Sequence, residues 1–124
     1  MTTSRSAEFD IGLSEIQQHQ FARDGFLIVR SLASETIRQR MIEIVQSSLR
    51  PALGPLEYEV DASYPGAPES LQAPGGHTPR RLLNAYARDA VFREWATSAT
   101  VVSRVRQLIG TEHLMLTQNH HNCI

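Results

Sequence analysis

The clearest pattern of hydrophobic and polar residues lies between residues 34 and 49. Apolar residues recur there at three- and four-residue intervals, and polar or charged residues fill most positions between them. This spacing predicts an amphipathic helix with one buried face. Ser34 is expected to begin it. Pro51 is expected to end it, because the residue before a proline is disfavoured in the helical region.

Two further helices are predicted from signals at their ends. Ser14 and Gln17 fit a capping box, and Gly25 fits the left-handed residue that closes a helix, so this helix should reach about residue 23. Near the end of the chain, Thr97 or Ser98 is expected to cap a helix that stops at Gly110. Its predicted buried stripe consists of Val101, Val102, Val105, Leu108 and Ile109.

A shorter helix is expected just before that one, with Asp89 as its N-cap. Phe92 and Trp95 are one helical turn apart, and together with Val91 they are expected to pack inward.

Three segments are predicted to be extended. Residues 26–29 are four consecutive strand-formers and suit a buried strand. Residues 80–86 suit a strand or an extended approach to a helix. Residues 113–124 form the third, with apolar ends and a polar middle, a pattern typical of a strand that lines a site. In this strand Leu116, Gln118 and His120 share one face.

Residues 50–80 form a long segment rich in turn-forming residues. All six prolines lie in it, together with four glycines. Such a composition does not sustain a helix. A loop of this length is either functional, as a lid or binding loop, or a mobile surface insertion, and the sequence leaves both interpretations open.

Composition narrows the class of protein. A chain of 124 residues suits one domain, and residues 1–12 suit a flexible leader. The net charge of −1 lacks the basic surplus typical of nucleic-acid binding. Because no apolar run approaches about 18 residues and the N-terminus has no signal sequence, neither a membrane partner nor secretion is expected. A single cysteine fits a reducing compartment, so a cytoplasmic location is expected.

The candidate metal ligands are His120, His121 and Cys123. Adjacent strand residues point to opposite faces, so the two histidines do not readily bind one ion. His121 and Cys123 lack a third ligand at a recognisable spacing, and no metal-binding residue is therefore expected in this chain. His19, His77 and His113 have no evident role, and His77 is expected to be exposed.

Arg80 and Arg81 follow the loop and precede two leucines. A guanidinium offers paired donors that suit a carboxylate or a phosphate. Strand alternation places the two side chains on opposite faces, so at most one is expected to point inward.

The order of several short motifs resembles the phytanoyl-CoA dioxygenase family. The first half contains Phe21-Ala-Arg-Asp-Gly-Phe-Leu-Ile-Val29 followed by the 34–49 helix. The second contains Asn84-Ala-Tyr-Ala-Arg-Asp89, Val91-Phe-Arg-Glu-Trp-Ala96, Val105-Arg-Gln-Leu-Ile-Gly110 and His113-Leu-Met-Leu-Thr-Gln118. The resemblance runs from residue 13 to the end of the printed chain.

The resemblance implies an α+β fold: the N-terminal helices and first strands of a double-stranded β-helix (jelly-roll, cupin-like) oxygenase domain, here incomplete. It also implies an Fe(II)- and 2-oxoglutarate-dependent enzyme that hydroxylates a small lipid-like or secondary metabolite. No histidine in the chain is followed two residues later by Asp or Glu, so the family's iron-binding His-x-Asp…His residues are expected in the remainder of the domain. Residues 1–124 alone are then expected to be inactive and to bind no cofactor stably.

Three residues are matched by the resemblance to the lining of the 2-oxoglutarate pocket: Arg81, Gln118 and His120. The alternative hypothesis is a non-catalytic module that binds a partner through the 51–79 loop or an open strand edge.

Overall fold

The structure is a computed structural model that describes residues 12–116. Five helices are present in that range: α1 (Glu15–Asp24), α2 (Glu35–Leu49), α3 (Ala85–Arg88), α4 (Ala90–Ala96) and α5 (Ala99–Ile109). Strands β1 (Leu56–Tyr58) and β2 (Pro79–Leu82) form a two-stranded antiparallel sheet, and a 3-10 turn (Glu59–Ala62) follows β1. The described part of the chain is therefore α+β.

The chain divides into two compact units. Of the described residues, the first unit contains 12–32 and 97–115, and the second contains 33–96 and 116. Helices α1 and α5 belong to the first unit, whereas α2 to α4 and the sheet belong to the second. The boundary at residue 97 falls in the short connection between α4 and α5.

In the first unit the predicted capping box is confirmed. The Ser14 hydroxyl accepts from the Gln17 backbone N–H at 3.2 Å, and the Gln17 side chain accepts from the Ser14 N–H at 2.9 Å. Gly25 ends α1 in the left-handed conformation, with φ of 78°. The two ends of α1 are thus determined by hydrogen bonds and backbone freedom within the helix itself.

Helix α5 is hydrogen-bonded to the segment that precedes α1. The Gln107 side chain accepts from the Leu13 N–H at 2.6 Å and donates to the Leu13 carbonyl at 3.1 Å. Leu13 is buried. Ser98 caps α5, as its hydroxyl accepts from the Val101 N–H at 3.3 Å, and Gly110 ends it as predicted.

In the second unit, α2 and α4 contact each other and α2 also contacts β2. Ser34 caps α2, which ends at Leu49 as the sequence predicts. The Asp89 carboxylate accepts from the Val91 N–H at 2.9 Å, which confirms Asp89 as the cap of α4. The buried hydrophobic residues of this unit's described part are Leu82, Ala85 and Val91, of which Leu82 is 2% exposed.

The segment 50–80 contains more regular structure than its composition suggests. Residues 56–58 pair with residues 79–82, and successive turns then follow, with the Ala73 N–H donating to the Ser70 carbonyl and the Gly76 N–H to the Ala73 carbonyl. A Cβ at Gly76 would overlap the Ser70 carbonyl, so this turn requires a glycine. Part of this predicted loop is therefore a paired hairpin, and the two interpretations, a functional loop and a mobile surface insertion, stay predictions.

The prediction of a buried strand at residues 26–29 is wrong. This segment has no strand partner within residues 12–116, and the side chains of Phe26 and Ile28 are 58% and 64% exposed. Four consecutive strand-formers indicate local preference for an extended chain, but burial requires partners that local sequence does not specify.

The apolar stripes of the two long helices are less buried than predicted. No hydrophobic residue of α2 or α5 is fully buried, and Leu49 and Ile109 are exposed. Phe92 and Trp95, expected in the core, are half-buried. The predicted helices are confirmed, but the predicted burial of their apolar residues is wrong.

Two predicted segments fall wholly or partly outside the described residues. These are the leader, 1–12, and the final strand, 113–124. Within the latter, residues 113–116 carry no strand assignment. In the described chain, no helix is both long enough and apolar enough to cross a membrane.

The capping box gives a test of how α1 is stabilised. Replacing Ser14 with Ala removes an N-cap hydrogen bond, which typically destabilises a helix by about 1 kcal/mol. We expect the protected amides of α1 to exchange with deuterium roughly fivefold faster, measured residue by residue by NMR. Ser34→Ala is the matched control, since it should accelerate exchange in α2 instead. Unchanged exchange in α1 after Ser14→Ala would contradict this account.

Candidate functional site

Arg81, one of the three predicted pocket residues, lies in β2 opposite Glu57 of β1. The register of the two strands shifts between Glu57 and Tyr58, because Glu57 pairs with Arg81 whereas Tyr58 pairs with Pro79. Arg80 is therefore an extra residue in β2, which is the arrangement of a β-bulge. Such a bulge breaks the regular alternation of side chains.

Both arginines reach the same carboxylate. The guanidinium of Arg80 lies 3.0 Å from Glu57 Oε1, and that of Arg81 lies 3.6 Å from the same oxygen. The prediction that these arginines occupy opposite faces is therefore wrong, because it assumed a regular strand. The bulge re-aims one side chain so that both arginines contact Glu57.

Arg80 also joins the hairpin to the turn that follows β1. Its guanidinium lies 4.0 Å from Glu59 Oε1 and 5.8 Å from the centre of the Tyr64 ring. The Tyr64 hydroxyl donates to Glu59 Oε2 at 2.7 Å. These contacts connect Arg80 with Glu57, Glu59 and Tyr64. We call these four residues and Arg81 the hairpin cluster.

The carboxylate of Glu59 controls the ionisation of Tyr64. The pKa of the Tyr64 phenol is raised above its ordinary value, first because it donates a hydrogen bond to Glu59 and then through desolvation and the repulsion of that carboxylate. The neutral phenol is the form that holds the contact. Its contribution is therefore present below the ordinary pKa of tyrosine and is lost as the pH rises through the raised value.

Arg81 is the member of the hairpin cluster best suited to bind a further anion. Its side chain is 33% exposed, and its contact with Glu57 is longer than a hydrogen bond. Within the described residues no hydrogen-bond acceptor is assigned to its guanidinium, so its donors are available to a carboxylate ligand.

The other two predicted pocket residues, Gln118 and His120, lie outside residues 12–116, as do His121 and Cys123. Across the described range, no three His, Cys, Asp or Glu side chains come together in a way that could hold a metal ion. His77 is exposed as predicted, but it has a partner, because its ring contacts that of Tyr58 edge-on at 4.9 Å.

No pattern in the sequence indicates the role of Arg88, whose side chain joins two distant parts of the second unit. Its guanidinium donates to the carbonyls of Leu53 at 3.0 Å, Pro55 at 2.7 Å and Leu83 at 3.3 Å. These acceptors are backbone groups, two of them more than 30 residues earlier, so no residue type in the sequence signals the interaction.

Arg88 also lines a cavity of about 440 Å³ at the end of α2. The lining residues are Ile44, Ser47, Ser48, Leu53, Gly54, Pro55, Asn84, Ala87 and Arg88. All of them belong to the second unit. The hairpin cluster and this cavity therefore lie in the same unit.

The link between Glu59 and Tyr64 can be tested by titration. We expect Glu59→Gln to lower the pKa of Tyr64 towards its ordinary value, because a neutral amide accepts a weaker hydrogen bond than a carboxylate does and no longer repels the phenolate. The measurement is NMR titration with labelled tyrosine, and Glu112→Gln is the control that should leave Tyr64 unchanged. An unaltered Tyr64 titration in Glu59→Gln would show that the carboxylate is not the cause.

Comparison of the chain with protein-family models, curated proteins and solved structures found no match.

Proposed function

We propose that residues 13–124 are the N-terminal part of an Fe(II)- and 2-oxoglutarate-dependent dioxygenase resembling the phytanoyl-CoA dioxygenase family. The complete enzyme would couple the oxidation of 2-oxoglutarate by O₂, to succinate and CO₂, to hydroxylation of a C–H bond in a small lipid-like or secondary metabolite. The observation that carries the proposal is the order of motifs in the sequence, from Phe21–Val29 to His113–Gln118.

The local structure around the first motif is compatible with this proposal. Helix α1 ends at Gly25, an extended segment follows, and α2 begins after Ser34. In the extended segment Phe26 and Ile28 expose most of their apolar surface. An unpaired extended segment with exposed apolar side chains is suited to pairing with strands supplied by the rest of a jelly-roll domain.

Arg81 supplies the second line of support. Its partly exposed guanidinium has donors that fit one carboxylate of 2-oxoglutarate, in accordance with the position that the resemblance assigns to it. Glu57 lies close to it and lowers the local positive potential. Arg81 is therefore proposed to orient the co-substrate beside other groups, with Gln118 and His120 as its expected neighbours.

The described residues offer no set of ligands that fits a metal ion, so no step at iron is assigned to residues 12–116. The iron ligands are proposed to lie in the remainder of the domain. This part of the chain would need that remainder as a partner to complete its fold.

The decisive experiment uses the full-length protein. Anaerobic addition of 2-oxoglutarate to the Fe(II)-loaded protein should produce the weak visible charge-transfer absorption of a chelated 2-oxo acid. We expect Arg81→Ala to weaken the 2-oxoglutarate affinity by about tenfold, since a charged hydrogen bond contributes about 1.5–3 kcal/mol. Arg38→Ala, on the exposed side of α2, is the control. Metal binding without this absorption would overturn the proposal.

A second prediction concerns residues 1–124 produced alone. Exposed apolar residues such as Phe26 and Ile28 should bind the dye ANS strongly, and heating should give a broad transition with little cooperativity. Measurements of ANS fluorescence and calorimetry test this. A sharp, reversible melt of a soluble monomer would contradict the proposal that these residues are part of a larger domain.

The exposed segment 26–29 also favours a second candidate function. A non-catalytic module could use this extended edge to add a strand to a partner protein, with Phe26 and Ile28 entering pockets on that partner. The reading frame beyond codon 124 distinguishes the enzyme from the non-catalytic module. A continuation that encodes a His-x-Asp motif within a few dozen residues favours the enzyme, and a stop codon favours the module.

A further inference from the structure

The cavity at the end of α2 combines apolar and polar walls. Ile44, Leu53, Pro55 and Ala87 supply the aliphatic surface, and the remaining side chains are polar. Its volume of about 440 Å³ lies within the range of about 300–1,000 Å³ that is usual for small-molecule sites. This mixture suits a ligand with an aliphatic body and one polar end.

Ser48 supplies a polar group to the wall of this cavity. It lies in the last turn of α2, beside Ser47, whose hydroxyl donates to the Ile44 carbonyl at 3.1 Å. Because Ser48 lines the cavity, its hydroxyl can donate a hydrogen bond to an acceptor on a ligand there.

Arg88 gives the cavity a positive charge. The acceptors assigned to its guanidinium are neutral backbone carbonyls, and its buried Nε has no acceptor among the described residues. No acidic residue lines the cavity. A partly buried cation without a counter-ion favours the binding of an anion.

We propose that this cavity binds the carboxylate of a short aliphatic acid. The carboxylate accepts a hydrogen bond from the Ser48 hydroxyl and lies beside the guanidinium of Arg88, while the aliphatic chain covers Ile44 and Leu53. This site is separate from the co-substrate role proposed for Arg81 and does not depend on it.

The test uses hexanoate as the probe and the full-length protein, with binding followed by saturation-transfer NMR and calorimetry. We expect saturable binding, weakened about fivefold by Ser48→Ala and about tenfold by Arg88→Lys, which keeps the charge but loses the planar fork. Ser103→Ala and Arg38→Lys are matched controls outside the cavity and should bind hexanoate within about twofold of wild type.

A neutral analogue makes the outcome specific. Hexan-1-ol, which has the same chain without the charge, should bind at least about tenfold more weakly. The proposal is overturned if hexanoate does not bind, if Ser48→Ala and Arg88→Lys both bind it normally, or if hexan-1-ol binds equally well. Each of these results leaves the dioxygenase proposal to its own experiment.

Discussion

The second unit depends on the hydrogen bonds that the Arg88 guanidinium donates to backbone carbonyls. This guanidinium joins the carbonyls of residues 53 and 55, just before β1, to the carbonyl of residue 83, just after β2. It therefore closes the base of the hairpin with charge-assisted hydrogen bonds, which are stronger than neutral ones. The Leu83 N–H adds a bond to the Pro55 carbonyl at 2.9 Å beside it. Residues 56–82, which include the hairpin cluster, therefore form one loop that is closed by these hydrogen bonds.

This reliance on polar contacts follows from how little apolar surface the described residues bury. Leu82 and Val91 are the large hydrophobic residues buried in the described part of the second unit, and Leu13 has that role in the first. Hydrophobic burial normally supplies most of the stability of a domain. Where burial is limited, hydrogen bonds from Gln107 and Arg88 to the backbone fix segments that a larger core would otherwise position.

Features fixed by neighbouring residues were predictable from the sequence, whereas those fixed by distant ones were not. The caps at Ser14, Ser34 and Asp89 act within one turn, so the start of each of these helices could be predicted. The role of Arg88 depends on carbonyls that every residue type possesses. Burial at residues 26–29 depends on strand partners rather than on the segment itself.

The candidate site shows the same division. Residue type alone marks both Arg80 and Arg81 as possible anion ligands, and the choice of Arg81 comes from the resemblance. The structure places Arg81 in a strand with a partly exposed guanidinium. Its closeness to Arg80 and their common contact with Glu57 were missed, because a bulge leaves no reliable mark in the sequence. Ser48 was overlooked, since a serine on an amphipathic helix is unremarkable until its burial is known.

The bulge in β2 makes the chemistry of this hairpin depend on chain length as much as on residue identity. In a regular ladder, neighbouring residues face opposite sides, and an arginine pair would divide its charge between two surfaces. One additional residue collects that charge on one side without changing a single side chain. Insertion or deletion of one residue in this strand would therefore move an arginine side chain to the other face of the hairpin and change the charge of both surfaces.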